Sequence, residues 1–540
     1  MDECRPLLVD TGRGFSLKYR SRLLYSGRDP VAAPRQAAIE APVLPGTLYV
    51  VPSPCLCYGL PELLGRLPDS SAVLCLEADE ALFALASHAI DEAMPAGSLR
   101  QRLALSNPAR ALDAYLSLER SIAPGRFRRS VELRLSGGRA FSEATYDAAR
   151  ATIEGDISTR YRNRLSLVRM GRLWTRNVLS NLASMRWEDT GPLEGDGKPV
   201  VVCGAGPSLD GAMDAIRRSR DGVTVLACDT ATGSLAKAGI VPDAIVCLEG
   251  QIWNVADFLP LDGAAPALFV DLSAHPSSFR AITGRKSLLL SVWTESAFLS
   301  RLLAAGLPVT AAPPLGSVGV LALRIARWLG GPIVVAGLDF SFRPGMTHCR
   351  GSPADIREML LESRTYRNTG AWGTSFREGA TRSGGAITDP ALSLYASLAA
   401  AELDGLEAWD LRGGFGAPLP ARPLSARGLE SLVETSRRDR QAAARATSAA
   451  APACGQAASP EACRAKAAAF LAGELDRVER VSSALRHGAA GEDLREMLAE
   501  ADFLYLHFPD PERVLALESD ALKRVAAEAA YWRGRLAECL

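Results

Sequence analysis

Several things are missing from this chain of 540 residues. Its formal charge balances, with 61 Lys plus Arg against 61 Asp plus Glu, so nothing general draws it to nucleic acid or to an anionic membrane. No apolar run reaches the ~20 residues that a membrane span needs. The opening residues, Met1-Asp2-Glu3-Cys4, carry acid at once and lack the basic-then-apolar order of a signal peptide. The 11 cysteines are scattered without a Cys-x-x-Cys pair, which speaks against structural zinc. Cys203, Cys228 and Cys247 sit in apolar runs and read as small core residues. These absences predict a soluble, cytoplasmic protein with reduced thiols. Histidine is also scarce, with five in the chain, so few side chains titrate near neutrality without perturbation.

What is present is a globular composition, 48% apolar and 23% charged, at a length that predicts roughly three or four domains. The expected division is an N-terminal α/β domain over 1–115, a helical connector over 116–195, a central Rossmann-like domain over 196–415 and a C-terminal helical domain over 416–540. In the first, Thr47–Val51 and Ala72–Leu76 read as strands flanking a helix at Leu60–Leu67, with Glu77 after the second strand. This is half of a doubly wound sheet. The intervening Pro52–Gly59 turn lacks the glycines of a phosphate loop, so the unit reads as structural or as a site for the partner. In the connector, Ile157, Tyr161, Leu165, Val168, Leu173, Leu179 and Leu182 mark one apolar helical face. Arg160, Arg162, Arg164, Arg169, Arg172 and Arg176 mark the polar side, as an anion clamp or as a solvated face.

The central stretch organises the rest. Val200–Cys203 has the length and apolarity of a buried strand. Gly204-Ala205-Gly206-Pro207-Ser208 forms a tight turn, and a helix follows with Leu209, Met213 and Ile216 on one face. Glycines let a backbone approach a phosphate, and a helix start offers free N–H groups to it. Ser208 would cap that helix or donate to the ligand. An ordinary strand-to-helix turn has the same spacing. Further strand-like runs at Val223–Ala227, Ala244–Leu248, Leu268–Asp271, Ser287–Ser291 and Ile333–Gly337 alternate with helical patterns, which predicts a parallel doubly wound sheet. Ligands of such sheets lie outside the carboxyl ends of the strands. That rule selects the glycine turn, Asp229-Thr230, Glu249-Gly250, Asp339, and Gly316-Ser317 at the start of a second apolar helix. His348, after an expected active-site strand end and a glycine-bearing loop, is the candidate general base. The alternative is a loop histidine with a structural hydrogen bond. Asp339 would orient His348, bind a sugar or cap a turn. His275 reads as a turn residue. Ser448–Pro460 reads as a loop-like break, followed by helices at Pro460–Leu485, Glu492–Leu504 and Pro511–Leu540.

The motifs Gly204-Ala205-Gly206-Pro207-Ser208-Leu209-Asp210, Asp229, Gly239-Ile240-Val241-Pro242-Asp243, Gly316-Ser317-Val318 and Gly337-Leu338-Asp339-Phe340 with Thr347-His348 closely resemble the motility accessory factor (Maf) proteins, bacterial flagellin glycosyltransferases. The first and last of these are also similar to bacterial sialyltransferases. Outside the core, Leu24-Tyr25-Ser26-Gly27-Arg28-Asp29-Pro30 resembles the N-terminal signature of Maf proteins, and Trp174-Thr175-Arg176-Asn177-Val178-Leu179-Ser180-Asn181 resembles their inter-domain helix. The resemblance spans roughly residues 15–412. It implies an inverting transfer of a nonulosonic acid (pseudaminic, legionaminic or a relative) from its CMP donor to Ser and Thr hydroxyls of flagellin, without a metal or other cofactor. The donor phosphate would meet Gly204 to Ser208, and the nucleotide would meet Asp229 and Thr230. A homo-oligomer is compatible with it. Departures occur at 52–58, at Glu249 in place of an expected aspartate, and at Asp410-Leu411-Arg412-Gly413-Gly414 in place of an asparagine-led run. Two alternatives stand beside this reading. The core also resembles archaeal-type hydroxymethylpterin diphosphokinases, which use ATP, and a flagellin-binding factor without turnover would share the same features.

Overall fold

The computed structural model describes residues 5–94, 97, 99–122, 127–261, 263–365, 377–446 and 459–540. The chain divides into two compact units, Met1–Ser166 and Leu167–Leu540. The first unit therefore runs well past residue 115. The stretch 448–458 of the expected break lies outside the described residues.

In the first unit, β1 (Leu7–Asp10), β2 (Phe15–Tyr19) and β3 (Arg22–Leu23) form a small antiparallel sheet. Strands β4 (Thr47–Pro52), β5 (Ala72–Leu76), β6 (Leu103–Ser106) and β7 (Arg129–Glu132) form an all-parallel sheet in the order β6-β5-β4-β7. β4 and β5 are buried along their whole length, as parallel strands covered on both faces must be. The turn after β4 explains the missing glycines. Ser53, Cys55 and Cys57 adopt positive φ without being glycine, and the turn is packed from within. Ser53 donates to the buried Glu77 carboxylate at 2.7 Å, Tyr146 donates to the same carboxylate at 3.0 Å, and Ser136 closes over the Ser53 carbonyl. The space outside this strand end is taken by protein groups.

In the second unit, β8 (Val200–Cys203), β9 (Thr224–Cys228), β10 (Ala244–Cys247), β11 (Ala267–Asp271), β12 (Lys286–Ser291), β13 (Val309–Ala312) and β14 (Ile333–Ala336) lead a sheet of nine strands. A two-stranded ribbon, β15 (Thr381–Ser383) and β16 (Ala386–Thr388), lies outside it, and β17 (Ala408–Asp410) and β18 (Arg422–Pro423) complete it. The order is β13-β12-β11-β10-β9-β8-β14-β17-β18, with every pairing parallel. The chain runs outward from β8 to β13, then returns to place β14 on the other side of β8. The topological switch, where such sheets open a crevice for ligands, is thus between β8 and β14.

The helix Glu143–Ser184 serves both units. Tyr146, Ala149, Ile153 and Ile157 enter the core of the first; Leu167, Val178, Leu179 and Leu182 enter that of the second. Tyr161 and Leu165, expected on the apolar face, are exposed: a stripe marks which residues are apolar, not whether a partner covers them. Two arginines of the polar side have named partners, and the side chain of Arg162 lies outside the described residues. Arg160 meets Glu119 and Asp156, and Arg172 meets Glu528 while lying 4.0 Å over Tyr531.

The same helix is tied to the sheet by two asparagines one turn apart. Asn177 donates to the carbonyls of Gly250 and Ser273, both at 2.9 Å. Asn181 donates to those of Leu272 and Ala274, both at 2.8 Å. The carboxyl-terminal helices share the sheet's core: Ile245, Leu288 and Phe298 cluster with Phe503, Val525 and Trp532. Fully buried Glu474 (Pro460–Arg486 helix) accepts two bonds of 2.8 Å from Arg301, and Asp502 accepts from the N–H groups of Ala297 and Phe298 at the start of the Ala297–Ala304 helix.

Candidate active site

The glycine turn after β8 meets the turn after β14 at the switch point, and the contact is so close that it accounts for the glycines. A Cβ on Gly204 would lie 2.5 Å from the Gly337 carbonyl, and one on Gly206 would lie 2.5 Å from the Asp339 carboxylate. Gly337 itself has φ +65°. The turn's N–H groups are spent inside the protein. Gly204 donates to Ala336 O at 2.8 Å, Gly206 to Gly337 O at 2.8 Å, Ser208 to Asp339 Oδ2 at 2.8 Å and Leu209 to Gly206 O at 3.0 Å. Pro207 has none to give. Of this stretch, only the Ala205 N–H is without a partner among the described residues.

Three expectations are corrected here. The turn Gly204–Ser208 is not a full phosphate cradle, and Ser208 neither caps its helix nor offers its hydroxyl outward; the hydroxyl donates to Asp339 Oδ1. Asp339, 2% exposed, does not orient His348. Its carboxylate sits at the start of the Leu209–Arg218 helix, where the helix dipole favours an anion. It ties the turn after β14 to the turn after β8. Burial pushes its pKa up, against the opposing pull of the Ser208 bonds, Arg412 and Arg343. Buried Arg412 grips Asp410 (2.8 Å) and donates to the carbonyls of Leu338 and Ala417, each at 3.0 Å. The departure at Asp410 therefore lies in the scaffold around the β14 turn.

A second helix start lies across the Leu338 side chain from the glycine turn. The Val318–Leu329 helix starts at Ser317, whose side chain makes no capping bond. The N–H groups of Ser317, Val318 and Gly319 have no partner among the described residues. Leu338 links the two elements: a Cβ on Gly204 would lie 2.5 Å, and one on Gly319 2.6 Å, from the same Leu338 methyl group. Gly316 has φ +68° and abuts Tyr395.

One strand away, Asp229 directly follows β9. Its Oδ1 accepts from the Thr230 N–H at 2.8 Å and the Thr230 hydroxyl at 3.2 Å, and its Oδ2 from Asn254 Nδ2 at 3.0 Å. Burial first, then the nearby Asp257 charge, raises its pKa to about 7; burial raises Asp257 to about 6. The Asn254 Oδ1 is buried without a partner. A turned-over amide would present that oxygen to a protonated Asp229. Asn254 and Asp257 had no signature in the sequence, since both lie in short helical turns after β10. Glu249, exposed after β10, accepts from the Gln251 N–H at 2.8 Å.

His348 is brought to the same edge by its neighbour: the Cys349 N–H donates to the Ala205 carbonyl at 2.8 Å. Its ring is half-buried, and burial lowers its pKa, offset in part by Glu358. That direction favours the neutral imidazole, the form a general base requires. His275 caps the Pro276–Ala281 helix through Nδ1, as a turn residue. Among the described residues, no group of three or more His, Cys, Asp and Glu side chains has metal-binding geometry, and no helix is long and apolar enough to cross a membrane.

The family model described as 6-hydroxymethylpterin diphosphokinase MptE-like matches residues 176–345. Two uncharacterised proteins of Treponema pallidum (strain Nichols) are similar in sequence. One is 34% identical over 356 residues, 64% of this chain and 61% of the relative. The other is 31% identical over 116 residues, 21% of this chain and 55% of the relative. The chain thus spans less than two thirds of the length of either. Among solved structures, the Maf glycosyltransferase of Magnetospirillum magneticum AMB-1 superimposes with a TM-score of 0.59 at 14% identity, covering 99% of this chain and 89% of that one. The chain has a mixed α/β, Rossmann-like fold with a carboxyl-terminal helical region, the fold of that glycosyltransferase.

Proposed function

We propose that this chain is a glycosyltransferase that moves a nonulosonic sugar from a CMP donor to Ser or Thr hydroxyls of flagellin. The observation that carries the reading is the set of N–H groups at Ser317, Val318 and Gly319 that have no partner among the described residues, beside the glycine turn at the β8/β14 switch point. A helix start of this kind favours one phosphate. Asp229 and Thr230, at the next strand end, are the nucleotide's polar contacts. In the transfer, the acceptor oxygen bonds to the anomeric carbon and the bond from that carbon to the phosphate oxygen breaks. CMP leaves with the electron pair, and His348 takes the hydroxyl proton. The fold shared with the Maf glycosyltransferase along nearly the whole chain supports this reading. The test is the intact mass of flagellin after incubation with the chain and CMP-activated nonulosonic acid. The expected result is a gain of whole sugar residues, abolished by His348→Gln. Unchanged mass with native chain would count against it.

A second reading rests on the family match over residues 176–345: an ATP-dependent diphosphate transfer to a hydroxymethylpterin. Formation of AMP from ATP in the presence of that pterin and magnesium, with no reaction of CMP-sugars, would favour it.

A further inference from the structure

His348 stands in a short hydrogen-bonded chain. The Thr347 hydroxyl lies 3.0 Å from His348 Nδ1 and donates to Glu358 Oε1 at 3.1 Å. Glu358 comes from the Pro353–Leu361 helix, which Ser352 caps by accepting from the Asp355 N–H. A hydroxyl has one proton to donate. With that proton directed to a carboxylate oxygen, Thr347 Oγ1 faces Nδ1 as an acceptor, so the ring proton belongs on Nδ1. The Nε2 atom, which has no partner among the described residues, then carries the lone pair. The backbone that follows His348 is fixed by the fold: the Cys349 N–H donates to the Ala205 carbonyl, and the Ser234 hydroxyl donates to the Arg350 carbonyl at 3.0 Å.

We propose that Glu358, acting through Thr347, is a positioning residue that holds His348 in the Nδ1–H tautomer and so leaves Nε2 to receive a proton. The consequence for catalysis rests on the glycosyltransferase reading; the tautomer itself does not. Glu358 faces the ring together with Asp355 and Arg357 of the same helix, but Glu358 is the one that Thr347 bonds.

The direct readout is the pair of 15N shifts of the His348 ring at neutral pH, identified among five histidines by its loss in His348→Gln. The native chain is expected to show a protonated Nδ1 and an unprotonated Nε2. Glu358→Gln keeps the shape, but its amide can also donate to Thr347, so the direction is lost and the Nε2–H form appears. Thr347→Val produces the same change, and Thr347→Ser, which keeps the hydroxyl, does not. A native Nε2–H form, or shifts unmoved in both Glu358→Gln and Thr347→Val, overturns the proposal. In transfer assays Glu358→Gln is expected to lower kcat roughly tenfold with KM unchanged, since acid–base assistance is worth ~100-fold or more when intact. Tautomer shifts as expected in a native chain that transfers no sugar would contradict the glycosyltransferase reading and leave this assignment standing.

Discussion

Single residues at the crevice separate into those that hold it and those that face outward. Ser317 is of the second kind: it is only partly buried, and its side chain makes no capping bond to the helix it opens. Ser317→Ala is therefore expected to leave stability within about 0.5 kcal/mol while weakening CMP binding roughly tenfold, the loss of one bond to a charged group; titration calorimetry beside a melt measures both. Asp339 holds the crevice. Asp339→Ala strands the Ser208 N–H and hydroxyl and is expected to cost about 3 kcal/mol, read as a lower denaturant midpoint. Asp229 gives a pH signature. Its folded-state pKa of about 7 lies above the ordinary 3.8, so the folded chain keeps a proton that the unfolded chain has lost. Its contribution to stability therefore declines as pH rises from about 4 to 7, by up to about 4 kcal/mol. Asp229→Asn removes that term and is expected to gain on the native chain across this window in urea titrations.

At the scale of elements, the glycines of the β8 turn are there for close packing. Gly206→Ala places a Cβ 2.6 Å from the Gly337 carbonyl, which neither backbone can relieve, and is expected to destabilise by about 1–3 kcal/mol. Gly211, in the helix that follows, has nothing within 4 Å of its Cβ position. Gly211→Ala is expected to stabilise by about 0.5–1 kcal/mol. Opposite shifts of the two melting temperatures check the argument. Much of the sheet was legible in the sequence: β8 to β12 and β14 are apolar runs broken by turn residues. β13 was not, because only Ala312 of its four residues is buried, and β17 and β18 are too short to show a period. The site was legible as a set of strand ends. Its division of labour was not, because the pairing of the Ser208 N–H depends on Asp339, 131 residues away, and no local spacing reports that bond. The relay of Glu358 to His348 spans only 11 residues, yet it depends on how the Pro353–Leu361 helix returns to Thr347, which no periodicity reports.

At the scale of the whole molecule, the second unit joins sheet and carboxyl-terminal helices in one core. Glu474 is fully buried against Arg301. Removing it in Glu474→Ala leaves the guanidinium partly buried without its carboxylate, at an expected cost of about 3 kcal/mol. In calorimetry this lowers the transition of the second unit and leaves that of the first in place. The matched region of the pterin diphosphokinase model ends at residue 345, before His348, whereas the superposition on the Maf structure covers 99% of the chain. The two readings differ in the nucleotide that the crevice should take. The most direct measurement is a thermal-shift series of the native chain with CMP, CTP, AMP, ATP and GMP, each with magnesium and with chelator. A ligand at 100 times its Kd adds about 2.7 kcal/mol to stability. The account predicts stabilisation by cytidine nucleotides, unchanged by chelator and reduced in Ser317→Ala. Stabilisation by ATP alone, and only with magnesium, would contradict it.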